Sequence, residues 1–374
     1  MNFKRFSRYV FLFALTWVGA ESASVPNPVS NPIEPAELIL ITPDIPISIS
    51  LPTPVSALPT PVSTPRISLM FTGDINPGRC IARASLAARD FTYPFQFVAE
   101  KLRSADITIG SLDVTISNQS IPMPCPDSLN LIGPSRTVEG LQFAGFDVIS
   151  VATNHIKNCG EMGWNCKNRA FQDTIQNLLS AGIQPAGGGD NLEQARAPVI
   201  LERNGVRFAF LAINEIDTRV WATENQPGTA PLSATTIESI KADISAARAL
   251  AEVVIVLPQW GSEYVPRPNA VQRVWAKEFM DAGATLVVGN HPHIIQPVET
   301  FPNGVAFYAL GNFVFDQPQR ARRESVIVEA IFNGAILESW RLWPAYTNYY
   351  TYQTYWAEGP EGDKILDHAQ TLWK

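Results

Sequence analysis

Histidine is scarce in this chain, with four residues in 374. Chemistry that needs imidazole is therefore confined to very few positions, and His291 and His293 take half the supply within VVGNHPHIIQPVE. Charge is thin as well: 17% of residues are charged, the balance is −7, and no block of Lys and Arg stands out. A phosphate-tracking surface needs such a block, so no nucleic acid is expected as a partner. Cysteine is limited to Cys80, Cys125, Cys159 and Cys166, and no Cys-x-x-Cys pair supports a zinc site. Outside the cytosol this even set can close two bridges, in any of three pairings. The favoured one joins Cys159 to Cys166 across a short loop and leaves Cys80 with Cys125. Between Ser24 and Pro65 Lys and Arg are absent altogether, while 11 of the 30 prolines fall there.

The sequence around these gaps is well supplied with apolar residues, at 46%. At the N-terminus Lys4, Arg5 and Arg8 precede an apolar stretch from Tyr9 to Val18 and then small residues. That order of charge, apolar run and small residues predicts a secretory leader over residues 1–23 and an exported, extracytoplasmic protein. Ten apolar residues are few for a membrane span. Residues 24–65, with the duplicated tract LPTPVSALPTPVSTP, read as a polyproline-type spacer, although LILIT at Leu38 to Thr42 has the character of an edge strand. The folded domain is expected over 66–374.

Within that domain short apolar runs alternate with helical patterns. RISLMFTGD, ADITIGSLD, FDVISVATNH, EVVIVLPQW and ATLVVGNHPH read as strands. NRAFQDTIQNLLSAG and NAVQRVWAKEFMDAG read as helices that end at glycine. The alternation implies an α/β fold. Asn204-Gly205 and Asn333-Gly334 sit between alternating apolar residues and predict hairpins, so the sheets are mixed. The aromatic run from Tyr346 to Trp356 is assigned to packing of the C-terminal segment, and His368 to the surface of a closing helix.

Each expected strand ends in a group that can bind or ionise. Asp74, Asp113, Asn154 with His155, Gln259, and His291 with His293 follow the five runs in order. Carboxyl ends of strands in α/β sheets face the ligand crevice, so these groups should share one site. A mixture of carboxylate, amide and neutral imidazole suits divalent metal ions, and two ions about 3.5–4 Å apart can activate water and clamp an oxyanion.

The ordered stretches GDINPGR, SLDVTIS, GFDVISVATNH, QWGSEY, AGATLVVGNHPHIIQPVE and YALGNFVFD resemble the successive motifs of the CapA, or poly-γ-glutamate capsule biosynthesis, family. The resemblance runs from about residue 67 to 338. It implies a four-layer α/β/β/α sandwich of metallophosphatase type and one or two divalent metal ions, of Mn, Fe or Zn type. It implies Asp74, Asp113, Asn154, His291 and His293 as ligands, His155 as the acid/base or oxyanion-stabilising group, and Arg79 facing a substrate anion. Asn312 is placed at the same mouth. It further implies an anionic polymer such as poly-γ-glutamate as substrate, with membrane-bound synthase or export proteins as partners. The chain departs from the family pattern at Gln259, where the family usually has a histidine, which weakens the second metal position. It departs also at Asn158-Cys159-Gly160 and at Asp113 in place of Glu; Asn76 stands where phosphoesterases usually have a histidine that the CapA family often lacks too. Two rivals stand beside this reading: a non-catalytic scaffold subunit, for which Gln259 argues, and a small-molecule phosphoesterase, which the parent fold allows.

Overall fold

The computed structural model describes residues 65–119, 125, 131–159 and 167–370. The expected leader, the spacer with its Leu38–Thr42 strand, and Cys166 lie outside them. Among the described residues the chain builds one half of a large sheet, crosses to a second sheet, and returns to finish the first.

The first pass lays down β1 (Arg66–Ile75), β2 (Ile107–Leu112), β3 (Val148–Ser150) and β4 (Gln184–Ala186), all parallel neighbours in that order. The second sheet follows with β5 (Val199–Arg203), β6 (Val206–Asn214), β7 (Val253–Gln259), β8 (Leu286–Val288), β9 (Val298–Phe301) and β10 (Gly304–Phe307). Its spatial order is β9-β10-β8-β7-β6-β5, parallel in the middle and antiparallel at both edges. The return supplies β11 (Asn312–Val314), β12 (Glu324–Asn333), β13 (Ile336–Thr347) and β14 (Thr354–Trp356). β12 pairs antiparallel with β1, and β13 and β14 extend that side, while β11 pairs parallel with the end of β1.

Both hairpins fall where the Asn-Gly pairs predict them. Asn204 and Gly205 both take positive φ, 51° and 78°, the geometry that joins β5 to β6 with the twist of the strands. The second hairpin joins β12 to β13 across Gly334 at φ 58°.

The strands are apolar on both faces because both are covered. Along β6, Phe208, Phe210 and Ala212 point toward β1 and β12 residues such as Phe71, Val328 and Phe332. The alternate residues Ala209, Leu211 and Ile213 pack instead with α4 (Ile237–Leu250) and α5 (Ala270–Asp281), defined after α1 (Arg79–Ala88), α2 (Val138–Ala144) and α3 (Lys167–Ser180) in the chain. Those earlier helices contribute Ile81, Leu141, Ala144, Phe171 and Leu178 to the opposite face of the first sheet, against Met70, Ile149 and Ile327. The layers are therefore helix, sheet, sheet, helix, the four-layer α/β/β/α sandwich expected. The ring of Phe208 meets Phe332 edge-to-face at 5.4 Å across the inter-sheet core, an arrangement worth about 0.5–1.5 kcal/mol beyond burial.

A final helix, α6 (Gly359–Gln370), sends Ile365 and Ala369 into the inter-sheet core and leaves His368 exposed. In the aromatic run, Tyr346 and Trp356 pack against the core and Tyr355 stacks on Phe97 at 4.5 Å, in line with a packing role. Cys80 is bonded to Cys125, tying the start of α1 to the segment that follows β2. Cys159 is also disulfide-bonded; the expected pairing with Cys166 lies outside the described residues.

Candidate metal centre

The parallel strands of both sheets end at the same edge of the sandwich, and there the ladder is interrupted where chemistry is needed. Pairing between β1 and β2 shifts between Phe71 and Asp74, and pairing between β1 and β11 shifts between Asp74 and Ile75. Such bulges re-aim side chains, and here the re-aimed residue is Asp74. The backbone beside it has no room to spare: a Cβ on Gly73 would run into the Gly311 carbonyl, which accepts from the Asp74 N–H at 2.9 Å.

Six of the expected residues meet. The His291 N–H donates to Asp74 Oδ2 at 3.1 Å, and His293 Nδ1 lies 3.5 Å from the same oxygen. His293 Nε2 is 3.7 Å from Asp113 Oδ2. The Gln259 amide donates from Nε2 to Asn154 Oδ1 at 3.1 Å and to Asp113 Oδ1 at 3.4 Å. Asp74, Asp113, Gln259, His291 and His293 are buried, while Asn154 is partly exposed. Groups spread over more than two hundred positions in sequence are thus one cluster.

What fits this cluster follows from its unsatisfied atoms. Asp74 Oδ1, Asp113 Oδ2, Gln259 Oε1 and His291 Nδ1 are all buried without a hydrogen-bond partner. Buried polar groups of this kind are normally paired, because leaving one bare costs about 1–3 kcal/mol and more for a charge. Both carboxylate atoms and the amide oxygen are acceptors, so a cation answers the deficit and a further acceptor does not.

The protonation states point the same way. Burial and the facing Asp113 carboxylate hold Asp74 well above the usual carboxylate range. Burial, then the Glu263 charge, pushes Asp113 up to about 7, against the pull of Arg79 and of a hydrogen bond from Thr153. Burial keeps His291 well below its ordinary value and brings His293 down to about 4, so both imidazoles are neutral near pH 7 with lone pairs available.

Neighbouring groups fix the rings. Asn312 donates from Nδ2 to the Arg322 carbonyl at 2.7 Å, which leaves Oδ1 to accept from His293 Nδ1 at 2.8 Å. The proton therefore sits on Nδ1 and the Nε2 lone pair faces Asp113. Metal-bound histidines are commonly oriented by an outer hydrogen bond of this kind, and its loss typically costs 10–100-fold in affinity. Asn312→Ala is expected to weaken metal binding by that factor with little change in fold, as read by titration with Mn²⁺ and by circular dichroism.

The backbone is strained at the same place. His291 at φ 96°, His293 at 56°, Tyr264 at 61° and Arg79 at 43° are all left-handed non-glycine residues. Each such residue costs about 1–3 kcal/mol and persists only where its surroundings hold it, typically at functional sites.

Two expected residues stand differently. Arg79, buried at the start of α1, gives its guanidinium to the buried Asp316, and the Cys80 N–H also donates to that carboxylate at 3.1 Å. Its charge still reaches the centre, favouring the anionic form of Asp113 and the neutral forms of His155 and His293. His155 is oriented by Asn158, whose Oδ1 takes both the Leu131 N–H at 3.2 Å and His155 Nδ1 at 2.6 Å. Its pKa is lowered by burial, against Asn158 and Glu263. Asn76 accepts from the Gly78 N–H at 3.0 Å through Oδ1, and its Nδ2 is buried without a partner.

Sequence reasoning did not single out Glu263. Its carboxylate and the ring nitrogens of His291 and His293 all lie within 4.8 Å of one another. The signal available was its place in QWGSEY, four residues beyond Gln259.

A four-layer sandwich with carboxylates, amides and imidazoles gathered at its strand ends defines an α/β class of protein whose strand-end cluster has the donor set to hold a metal ion. Residues 68–317 match the family model described as bacterial capsule synthesis protein PGA_cap. The chain belongs to that family. It is 31% identical over 265 residues to the PGA biosynthesis protein CapA of Bacillus subtilis, covering 70% of this chain and 67% of that one. It is 29% identical over 268 residues to the capsule biosynthesis protein CapA of Bacillus anthracis, covering 71% of this chain and 63% of that one. Among solved structures, it is similar to the NAD nucleotidase of Haemophilus influenzae at a TM-score of 0.44 and 11% identity, over 81% of this chain and 55% of that one. It is similar also to a 5'-nucleotidase of Candida albicans at 0.44 and 11%, over 81% and 57%.

Proposed function

We propose that the protein acts outside the cytoplasm on poly-γ-glutamate or a similar anionic polymer, in its synthesis, export or attachment, by metal-assisted hydrolysis or transfer. The observation that supports this most is the group of buried, unpartnered acceptor atoms on Asp74, Asp113, Gln259 and His291 around two neutral imidazoles. In this reading Asp74, Asp113, Asn154, His291 and His293 hold one or two divalent ions. The ion supplies an acidified water and charge neutralisation at the group being attacked. His155, with Nδ1 committed to Asn158, keeps Nε2 as a proton acceptor at the partly exposed edge. Arg79, held by Asp316, contributes positive potential at the centre.

The names of the two CapA relatives favour the polymer. So does a groove of about 790 Å³ that starts at Tyr264, whose ring is 6.1 Å from that of His293. Arg322 lies over Tyr264 at 3.4 Å, and Lys364 and His368 line the groove further out, beside Glu324 and Asp367. Export is supported by the Cys80–Cys125 disulfide, since such bonds persist in oxidising compartments. Membrane-bound synthase or export proteins are the partners this reading implies.

One observation favours the scaffold reading. The Gln259 amide group already donates to both Asp113 and Asn154, partly replacing what a second ion would do. Metal analysis of protein made without a chelating tag, followed by incubation with poly-γ-glutamate and Mn²⁺ or Zn²⁺, separates the two. About one or two transition-metal ions per chain and a shift in polymer length or end groups are expected. Polymer binding without metal and without change in the polymer would instead mark a scaffold.

A further inference from the structure

We propose that Glu263 is a ligand of this centre, closing its solvent side and supplying the donor that Gln259, as an amide, provides only weakly. The inference rests on the metal reading above and adds a residue to it.

The loop that carries Glu263 is fastened in place from several directions. It leaves β7 after Gln259 and turns at Gly261, φ 86°, whose N–H donates to Glu215 Oε2 at 2.8 Å. Two residues beyond Glu263 the Val265 carbonyl accepts from Gln296 Nε2 at 2.8 Å. Gln296 is itself held by Gln272 at 3.1 Å, and Gln272 belongs to the capping box that starts α5. Between these anchors the Tyr264 N–H donates to the Pro292 carbonyl at 2.8 Å, so the peptide next to Glu263 is bonded to the residue between the two histidines. Tyr264 takes a left-handed backbone to make that bond.

The result is a carboxylate at the mouth within 4.8 Å of both histidine nitrogens. His291 is buried, and its Nδ1 has no hydrogen-bond partner. Glu263 adds a third acidic side chain to a site that already holds the buried Asp74 and Asp113. A surface loop that strains its backbone to crowd like charges is unfavourable unless something positive is bound between them. Carboxylates neutralise and bind a hard or borderline divalent ion, whereas a neutral amide does neither well. Glu263 is exposed, whereas Asp74, Asp113, His291 and His293 are buried, so it would hold the ion from the solvent side.

The experiment is a titration of wild type, Glu263→Gln, Glu263→Ala and Glu263→Asp with Mn²⁺ and with Zn²⁺. Affinity is read by calorimetry and the Mn²⁺ environment by electron paramagnetic resonance. Gln and Ala should each weaken binding at least about tenfold and alter the Mn²⁺ spectrum, and Asp should recover part of the affinity. Because the side chain is exposed, the apo melting temperature should not fall in any of the three. Wild-type affinity and spectrum in the Gln and Ala variants would overturn the role of Glu263 while leaving the metal centre standing. A wild type that binds neither ion would overturn both.

Discussion

Asparagine at position 113 is expected to raise the melting temperature of the metal-free protein at pH 8 and to remove most of the stabilisation that metal confers. Asp113 is buried, faces Asp74 and His293, and has one oxygen without a partner. Its pKa is about 7 in the folded protein against 3.8 as the ordinary value. Between those values the folded state holds a proton that the unfolded state has lost, so stability falls as pH rises. Above about pH 7 both states are ionised and the penalty is complete. Below the ordinary carboxylate pKa both are protonated and the penalty is gone. Asp74 is shifted in the same direction. The advantage of Asp113→Asn should therefore grow from about pH 4 to about pH 7 and then level off. The new amide keeps an oxygen for Gln259 and turns an N–H₂ toward the His293 lone pair. With metal the gap narrows: an ion at about 100 times its dissociation constant adds about 2.7 kcal/mol to wild type. At roughly 2 °C per kcal/mol for a chain of this size, that is about 5 °C. A thermal scan with and without Mn²⁺ at pH 5 and pH 8 reads both effects. A metal-free variant that melts below wild type at pH 8 would show that Asp113 is satisfied in the folded protein.

Much of this site was readable before any coordinates, because it is written at strand ends. Asp74, Asp113 and Gln259 each follow an apolar run that is buried on both faces, and such runs place their next polar residue at the sheet edge. The Asn-Gly hairpins were equally local, since positive φ at Asn204, Gly205 and Gly334 selects those residue types. Relations between distant segments were not readable. Arg79 was expected to face a substrate anion; its pairing with Asp316, 237 residues away, forms only when β11 pairs with β1. Glu263 drew no assignment from the sequence. Its meaning depends on β7 and β8 pairing in parallel, which sets the loop after one strand against the loop after the other. Asn312 was expected at the mouth; it is fully buried against His293, and its task of fixing the His293 tautomer depends on an Arg322 carbonyl that no motif encodes.

Histidine in place of Gln259 is expected to raise bound metal to about two ions per chain and, in the same step, to destabilise the metal-free protein. Gln259 is 2% exposed, so a replacement side chain has nowhere to go but into the centre. Its amide group donates to Asp113 and Asn154, while its own oxygen has no partner. It therefore acts now as a weak internal stand-in for positive charge. An imidazole removes those two donated bonds, leaving buried acceptors at a cost of about 1–3 kcal/mol. In exchange it offers a nitrogen that binds Mn, Fe or Zn far better than an amide oxygen does. Metal should therefore restore the lost stability and bind with more than the wild-type stoichiometry, as read by elemental analysis after dialysis and by melting with added Mn²⁺. Turnover of a simple phosphate ester should appear or rise if the cluster retains the rest of a two-ion centre. If Gln259→His loses stability that no metal restores, the amide is a structural plug. The acceptors on Asp74 and His291 would then need another explanation.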